Sequence, residues 1–378
     1  DKEEFQMLIE FKFSNFRSFR DETCLSMRSV SPAKRGEGLL PCEPGNLLPA
    51  VAISGKNGEG KTNVIRAFAF AVQFICNAQR TQHESASIPV ELFLLDDISQ
   101  SAPASFEFTY ILDGFKYIYG FAATKERIEK EYLYQFPKGR KALVFCREGQ
   151  EFTFRRSADR KKQRMICEVV APNQLYFALA CTLNEKVCAS AMRWFRSYLV
   201  FSWDYNDPSK CLMKFPNMLQ TIKEDILAAD IEIRDITFKI SNDKLSVSAV
   251  HRGSNRNGEE QLYDLPLSLE SEGVKRFIAL VSAVEHTLGC GGVFLVDGLE
   301  EHLHPLLARF MLSKFQSLDS NPNHAQIIFT THSTDLLNSG LLQKGQIYVA
   351  SKGKRDNSST LTLITSEVKA TGGIHHVD

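Results

Sequence analysis

The sequence predicts an α/β fold with a phosphate-loop core sheet, an antiparallel β subdomain and an inserted helical region, without coiled-coil arms. Three observations carry that expectation. Residues 50–78 read as a buried strand, AVAIS, a glycine-rich turn, GKNGEGKT, and a helical run, TNVIRAFAFAVQFICNA. Residues 104–155 alternate apolar and polar positions in ASFEFTYIL, FKYIYGFAA, EKEYLYQF and KALVFCR, separated by turns such as DG and PKG. That is the pattern of an antiparallel meander. The last third returns to an α/β rhythm, with EGVKRFIALVSAVEHTL and LHPLLARFMLSKFQSL helical and GVFLVD and AQIIFTTH as buried strands.

In chain order, MLIEFKFSNFRSFRDETCLSMRSV, residues 7–30, has the strand period in two short segments, and residues 1–6 read as lying ahead of the natural start. A loop rich in Gly, Pro and charge runs to residue 49. After the phosphate-loop unit and the meander, residues 174–235 read as mainly helical, with runs such as LYFALACTLNEKVCASAMRWFRSYLVF and MLQTIKEDILAAD. The expected division is an N-terminal lobe over residues 7–165, a helical middle region over 166–235 and a C-terminal lobe over 236–378.

At 378 residues the chain can bury a large core. Its 45 Lys and Arg balance its 45 Asp and Glu, which argues against a generally basic nucleic-acid coat protein and confines any such contact to a local patch. Nine cysteines without a CxxC pair point to reduced thiols and a cytoplasmic protein. No apolar run reaches the roughly 18 residues of a membrane span, and DKEEFQMLIEF is acidic where a leader would be basic.

The motif GKNGEGKT, residues 55–62, satisfies G-x-x-x-x-G-K-[ST] between a strand and a helix. Its glycines let the backbone curl so that N–H groups and the helix dipole face phosphates. Lys61 then pairs with the β- and γ-phosphates and Thr62 ligates Mg²⁺. The strand VFLVD brings Asp297 to its end, where a carboxylate holds the metal through water. SEG, residues 271–273, opens a helix whose free N–H groups can receive a γ-phosphate, although a plain serine cap is the simpler reading. His332 follows a buried strand and can reach the γ-phosphate or the attacking water; a structural histidine is the simpler reading. FRRSADRKKQR, residues 154–164, holds six basic residues against one acid. A solvated loop is its simpler reading, and a contact with phosphate backbone or an acidic partner its functional one. His302 and His304 fit a helix start better than a zinc site.

Taken in this order, phosphate loop, Ser-x-Gly signature, acidic strand and histidine resemble the ABC-type ATPase heads of the RecF and SMC class. The chain is more closely similar to bacterial AAA-family ATPases of the abortive-infection and phage-resistance type, whose heads are ABC-like. The resemblance runs from residue 8 to about 350, through SNFRSF, GKNGEGKTN, IYGF with IEKEYLY, NQLYFALA, AADIEIRDI, SEGVKRF, LEEHLHP and FTTHS. It implies an ABC-ATPase-like head in which Arg17, Asn57, Gly58, Gly60, Lys61, Thr62 and Asn63 contact ATP, while Thr62 and Asp297 hold Mg²⁺. It further implies that Ser271 and Gly273 complete the site in trans, in a homodimer or higher oligomer closed over ATP. A separate effector such as a nuclease, and a DNA or phage-protein trigger, belong to the same expectation, with no membrane partner. With 46 residues after His332, the nuclease domain of the overcoming-lysogenization-defect relatives is not expected within this sequence.

Two departures from that family pattern matter. Asp-Glu is usual where this chain has Asp297-Gly298, and Val274 replaces the usual Thr after Ser-x-Gly. A general base is worth about 10²–10⁴ in rate, so Gly298 predicts slow hydrolysis unless another carboxylate takes its place. Glu300, at the family's second acidic position, and Glu301 are the candidates, although exposed charges in the connection are the simpler reading of both; Glu300 and His332 are the expected catalytic pair. Three functional readings follow: an ATP-binding and hydrolysing sensor or scaffold subunit of an anti-phage system, a RecF-like ATP-gated DNA clamp, and a non-hydrolysing ATP-dependent scaffold.

Overall fold

Every residue of AVAI in the strand Ala50–Ser54 is buried, and alternate side chains face two different cores. Val51 and Ile53 join one cluster; Ala50 and Ala52 join the other. The same division splits Leu295 and Ile328 from Phe294, Val296, Ile327 and Phe329. This is what a parallel sheet covered on both faces requires, and it explains the near-continuous apolar runs. The computed structural model describes residues 5–30, 39–42, 45–81, 86–155, 160–229, 233–241, 244–343 and 345–365.

The core sheet has six strands in the order Leu199–Phe201, Val293–Val296, Gln326–Thr330, Ala50–Ser54, Ile347–Lys352 and Ser359–Leu363. Neighbours are parallel except the last pair. Its strands therefore come from all three segments of the chain. Two of them carry the site: the phosphate-loop strand and Val293–Val296 flank Gln326–Thr330, so three strand ends open on one place.

On one face lies a seven-stranded antiparallel sheet, ordered Glu151–Phe154, Ala142–Glu148, Ile128–Gln135, Phe115–Ala123, Ala104–Leu112, Met7–Ser14 and Thr23–Ser26. The first hairpin thus extends the meander, pairing Phe11 with Phe108 and Phe13 with Phe106. Its inner aromatics grip the phosphate-loop helix Lys61–Thr81. Phe68 of that helix lies 4.8 Å from Phe11 and 5.1 Å from Phe108 between ring centroids. The helices Tyr176–Thr182 and Lys186–Ser197 close this core with the fully buried Trp194, stacked 4.5 Å from Tyr110. The helices Glu272–Cys290 and Pro305–Gln316 fill the opposite core.

Three parts of the chain depart from the sequence-based expectation. Leu199–Phe201, expected inside the helical middle region, is a parallel edge strand against Val293–Leu295. Three apolar residues are too few to show a period, and only the neighbouring strand decides their state. In the basic run, Arg160–Val169 is a helix and no turn-rich loop, since Arg, Lys, Gln and Met are good helix formers and Gln163 and Ile166 give it a buried side. Residues 156–159 of that run lie outside the described residues. Finally, Asp235–Ser241, Lys244–Ser254 and Glu260–Pro266 form a separate antiparallel sheet that periodicity did not indicate. Six of the seven residues of its last strand are exposed, so it has no apolar face to betray it.

Among the described residues there is no disulfide, and no helix is long and apolar enough to cross a membrane.

Candidate nucleotide site

The phosphate loop leaves the sheet at Ser54 and enters the helix Lys61–Thr81, with Gly55, Gly58 and Gly60 all at positive φ. Gly60 shows why glycine is needed: at φ +107° its Cβ would stand 2.6 Å from Ser359 Oγ. The curl brings Lys61 beneath the loop, where its Nζ donates to Gly55 O at 2.7 Å and to Lys56 O at 2.9 Å. The ammonium is nearly buried, and burial lowers its pKa against the opposing charges of Glu59, Asp297 and Glu300.

Next along the helix, Thr62 Oγ1 donates to Asp297 Oδ1 at 3.0 Å, across 235 residues of sequence. Thr330 Oγ1, from the strand between them, donates to the same oxygen at 2.7 Å and accepts from the Gly298 N–H at 2.7 Å. Thr330 therefore fixes both the carboxylate and the start of the turn that follows it. In that turn Gly298 has φ +69°, and Glu301 N–H donates to Gly298 O at 3.1 Å. Glu300 turns towards His332, whose backbone N–H donates to Glu300 Oε1 at 2.6 Å. Glu300 Oε2 is buried and has no hydrogen-bond partner among the described residues.

These elements enclose a cavity of about 340 Å³. It brings together the predicted Asn57, Gly58, Gly60, Lys61, Thr62, Asn63, Asp297 and His332. Arg66, Gly298, Glu301 and Thr330 line it as well. Glu300 does not line it; its carboxylate lies behind, on the His332 backbone. Arg17 is one contact removed, in the turn of the first hairpin. Its guanidinium donates to Asn63 Oδ1 at 3.2 Å and pairs with Glu91 at 2.8 Å, lining an adjoining cavity that also reaches Asn63. Ser271 and Gly273 stand outside the main cavity. Ser271 caps the helix Glu272–Cys290 by accepting from Val274 N–H at 3.2 Å. Gly273 packs against the Asp297–Pro305 turn, since a Cβ there would lie 2.9 Å from His302 O.

The matched family model, described as "AAA domain, putative AbiEii toxin, Type IV TA system", covers residues 51–338, most of the chain. The chain belongs to this AAA family. As an AAA-type domain it is a nucleotide-binding ATPase module, and the matched span holds the phosphate loop, Asp297 and His332, while the hairpin with Arg17 precedes it. No curated protein matches the chain.

Two of the lining residues, Arg66 and Thr330, belong to no sequence motif. Arg66 lies one helical turn beyond Thr62, a spacing that puts both on one face and could have signalled it. Thr330 had no comparable signal, because its role depends on its strand lying between two others. The cavity's donors also suit a hard cation. Thr62 and Asp297 offer oxygen alone, and among the described residues no group of three His, Cys, Asp or Glu forms a dedicated cage. Mg²⁺ characteristically takes one or two protein oxygens and completes its shell with substrate phosphate and water.

Proposed function

We propose that this AAA domain binds and hydrolyses ATP with Mg²⁺ and acts as the sensor or scaffold subunit of a bacterial anti-phage system, controlling a separate effector. The convergence of Lys61, Thr62 and Asp297 in one cavity is the observation that supports it. In this reading Lys61 leaves the loop carbonyls for the β- and γ-phosphates, and the loop N–H groups with the helix start cradle the rest. Thr62 and Asp297 hold Mg²⁺, which supplies charge neutralisation on the phosphates. Thr330 keeps Asp297 aimed, and His332 stands by the γ-phosphate. Ser271 and Gly273, at an exposed helix start outside their own cavity, serve the ATP of a second copy. The family's link to toxin–antitoxin systems supports the defence role, and a nuclease is the effector class we favour.

Gly298 favours one second reading, a scaffold that binds ATP without hydrolysing it. Phosphate release and particle mass, followed together with Mg²⁺ and ATP present or absent, separate the two. ATP-dependent dimers with steady phosphate release support the ATPase reading. Dimers without release support the scaffold, and a chain that neither dimerises nor releases phosphate with ATP contradicts both.

A further inference from the structure

The turn after Asp297 contains a carboxylate where residue 298 has none. Gly298 sits at φ +69°, a conformation that L side chains rarely adopt. A Cβ built on it would fall 2.5 Å from both Cγ and Oε1 of Glu301. The Glu301 side chain therefore occupies the space that a side chain at 298 would enter. Its own N–H donates to Gly298 O at 3.1 Å, which closes the turn and folds Glu301 back over the glycine. His302, next in the chain, is also left-handed at φ +61°, so the backbone is bent twice within five residues to make this arrangement. Glu301 lines the cavity with Lys61, Thr62, Asp297 and His332, whereas Glu300 is engaged by the His332 backbone.

We propose that Glu301 is the general base of ATP hydrolysis in this chain, its carboxylate delivered over Gly298. The inference rests on the ATPase reading above. In the step, a water oxygen forms a bond to the γ-phosphorus as the bond from that phosphorus to the β–γ bridging oxygen breaks. ADP leaves with that electron pair, and the water proton passes to the Glu301 carboxylate and from there to solvent. Gly298 is then part of the machinery, because any side chain at 298 would displace Glu301. The half-buried Arg276, on the helix that begins at the Ser-x-Gly signature, has Glu301 as its opposing charge. A purely structural Glu301 would serve that arginine alone.

Four forms of the chain test this: wild type, Glu301→Gln, Glu301→Gly and the double variant Gly298→Glu with Glu301→Gly. Turnover, affinity for a fluorescent ATP analogue, and the ATP-to-ADP ratio on protein recovered by gel filtration are measured for each. Glu301→Gln is expected to lose about 10²–10⁴ in kcat, to keep its ATP affinity within about twofold, and to be recovered carrying ATP. The double variant is expected to turn over faster than Glu301→Gly, since a carboxylate returns to a space that has been vacated. Wild-type turnover in Glu301→Gln overturns the inference, as does parallel loss of turnover and ATP affinity, which marks a structural role. A wild type that binds ATP without hydrolysing it overturns the inference and leaves nucleotide binding standing. A wild type that binds no ATP overturns the ATP reading itself.

Discussion

At the scale of residues, the site depends on groups that belong to no phosphate-binding motif. Thr330 gives one hydrogen bond to Asp297 and receives another from the Gly298 N–H. Thr330→Val keeps the shape, removes the donor to the carboxylate and leaves a buried N–H without its acceptor. The expected cost is about 1–3 kcal/mol in chemical denaturation, together with a higher Mg²⁺ requirement for phosphate release. Unchanged values in both measurements would show that Thr330 does not hold Asp297 and the turn in place. Lys61, Thr62 and Asp297 were legible in the sequence because each belongs to a local pattern, a glycine loop or a strand end. Thr330 and the turn-back of Glu301 were not. One needs the order of strands in the sheet and the other needs the sign of a single φ, and neither is written in residue spacing.

Among the elements, the antiparallel sheet is tied to its helices by the fully buried pair Arg147–Glu131, 3.7 Å apart. Glu131 accepts from Tyr119 OH at 3.0 Å and from the Tyr176 and Phe177 N–H groups at 2.8 Å, at the start of Tyr176–Thr182. Arg147 donates to Gly149 O at 2.7 Å and Gln174 O at 2.5 Å. Burial pushes the Glu131 carboxyl upward, opposed first by Arg147 and then by those N–H groups. Arg147→Met strands a carboxylate in an apolar core, and a loss of about 3–5 kcal/mol is expected in denaturant titration. Changing Glu131 to Leu as well should recover only part of this, because the two N–H groups stay unpaired. Full recovery would show that the pair acts as an isolated ion pair. The meander was legible from alternation, since one of its faces is buried. The strand Leu199–Phe201 was not, being short and apolar throughout, and Glu260–Pro266 was not, being exposed nearly throughout.

For the whole molecule, the second core carries its own charge cluster. Lys314 bridges Asp225 at 2.5 Å and Glu285 at 2.6 Å, joining the helices Leu219–Ala228, Glu272–Cys290 and Pro305–Gln316. Burial, ahead of the neighbouring Asp225, pushes the Glu285 carboxyl up to about 7. The folded state thus holds this proton to higher pH than the unfolded chain does, so its contribution to stability is present at low pH and is lost as pH rises from about 4.5 to about 7. Thermal unfolding across that window should show wild type losing stability relative to Glu285→Gln; parallel profiles would contradict the assignment. One of these helices, Glu272–Cys290, is capped by Ser271; if a second copy uses that helix start as proposed above, the ATP-bound state is an oligomer. The α/β class and the antiparallel subdomain were legible from period alone. The interleaving of all three chain segments in one core sheet was not, because long-range strand order leaves no local trace.

The proposed function stands or falls with ATP binding in the cavity at the phosphate loop. Equilibrium titration of wild type and Lys61→Ala with ATP and Mg²⁺ tests it most directly. One ATP per wild-type chain is expected, with roughly 10–100-fold weaker binding by Lys61→Ala, the worth of a charge-assisted contact. ATP binding of equal strength in the two proteins, or none in wild type, would contradict it.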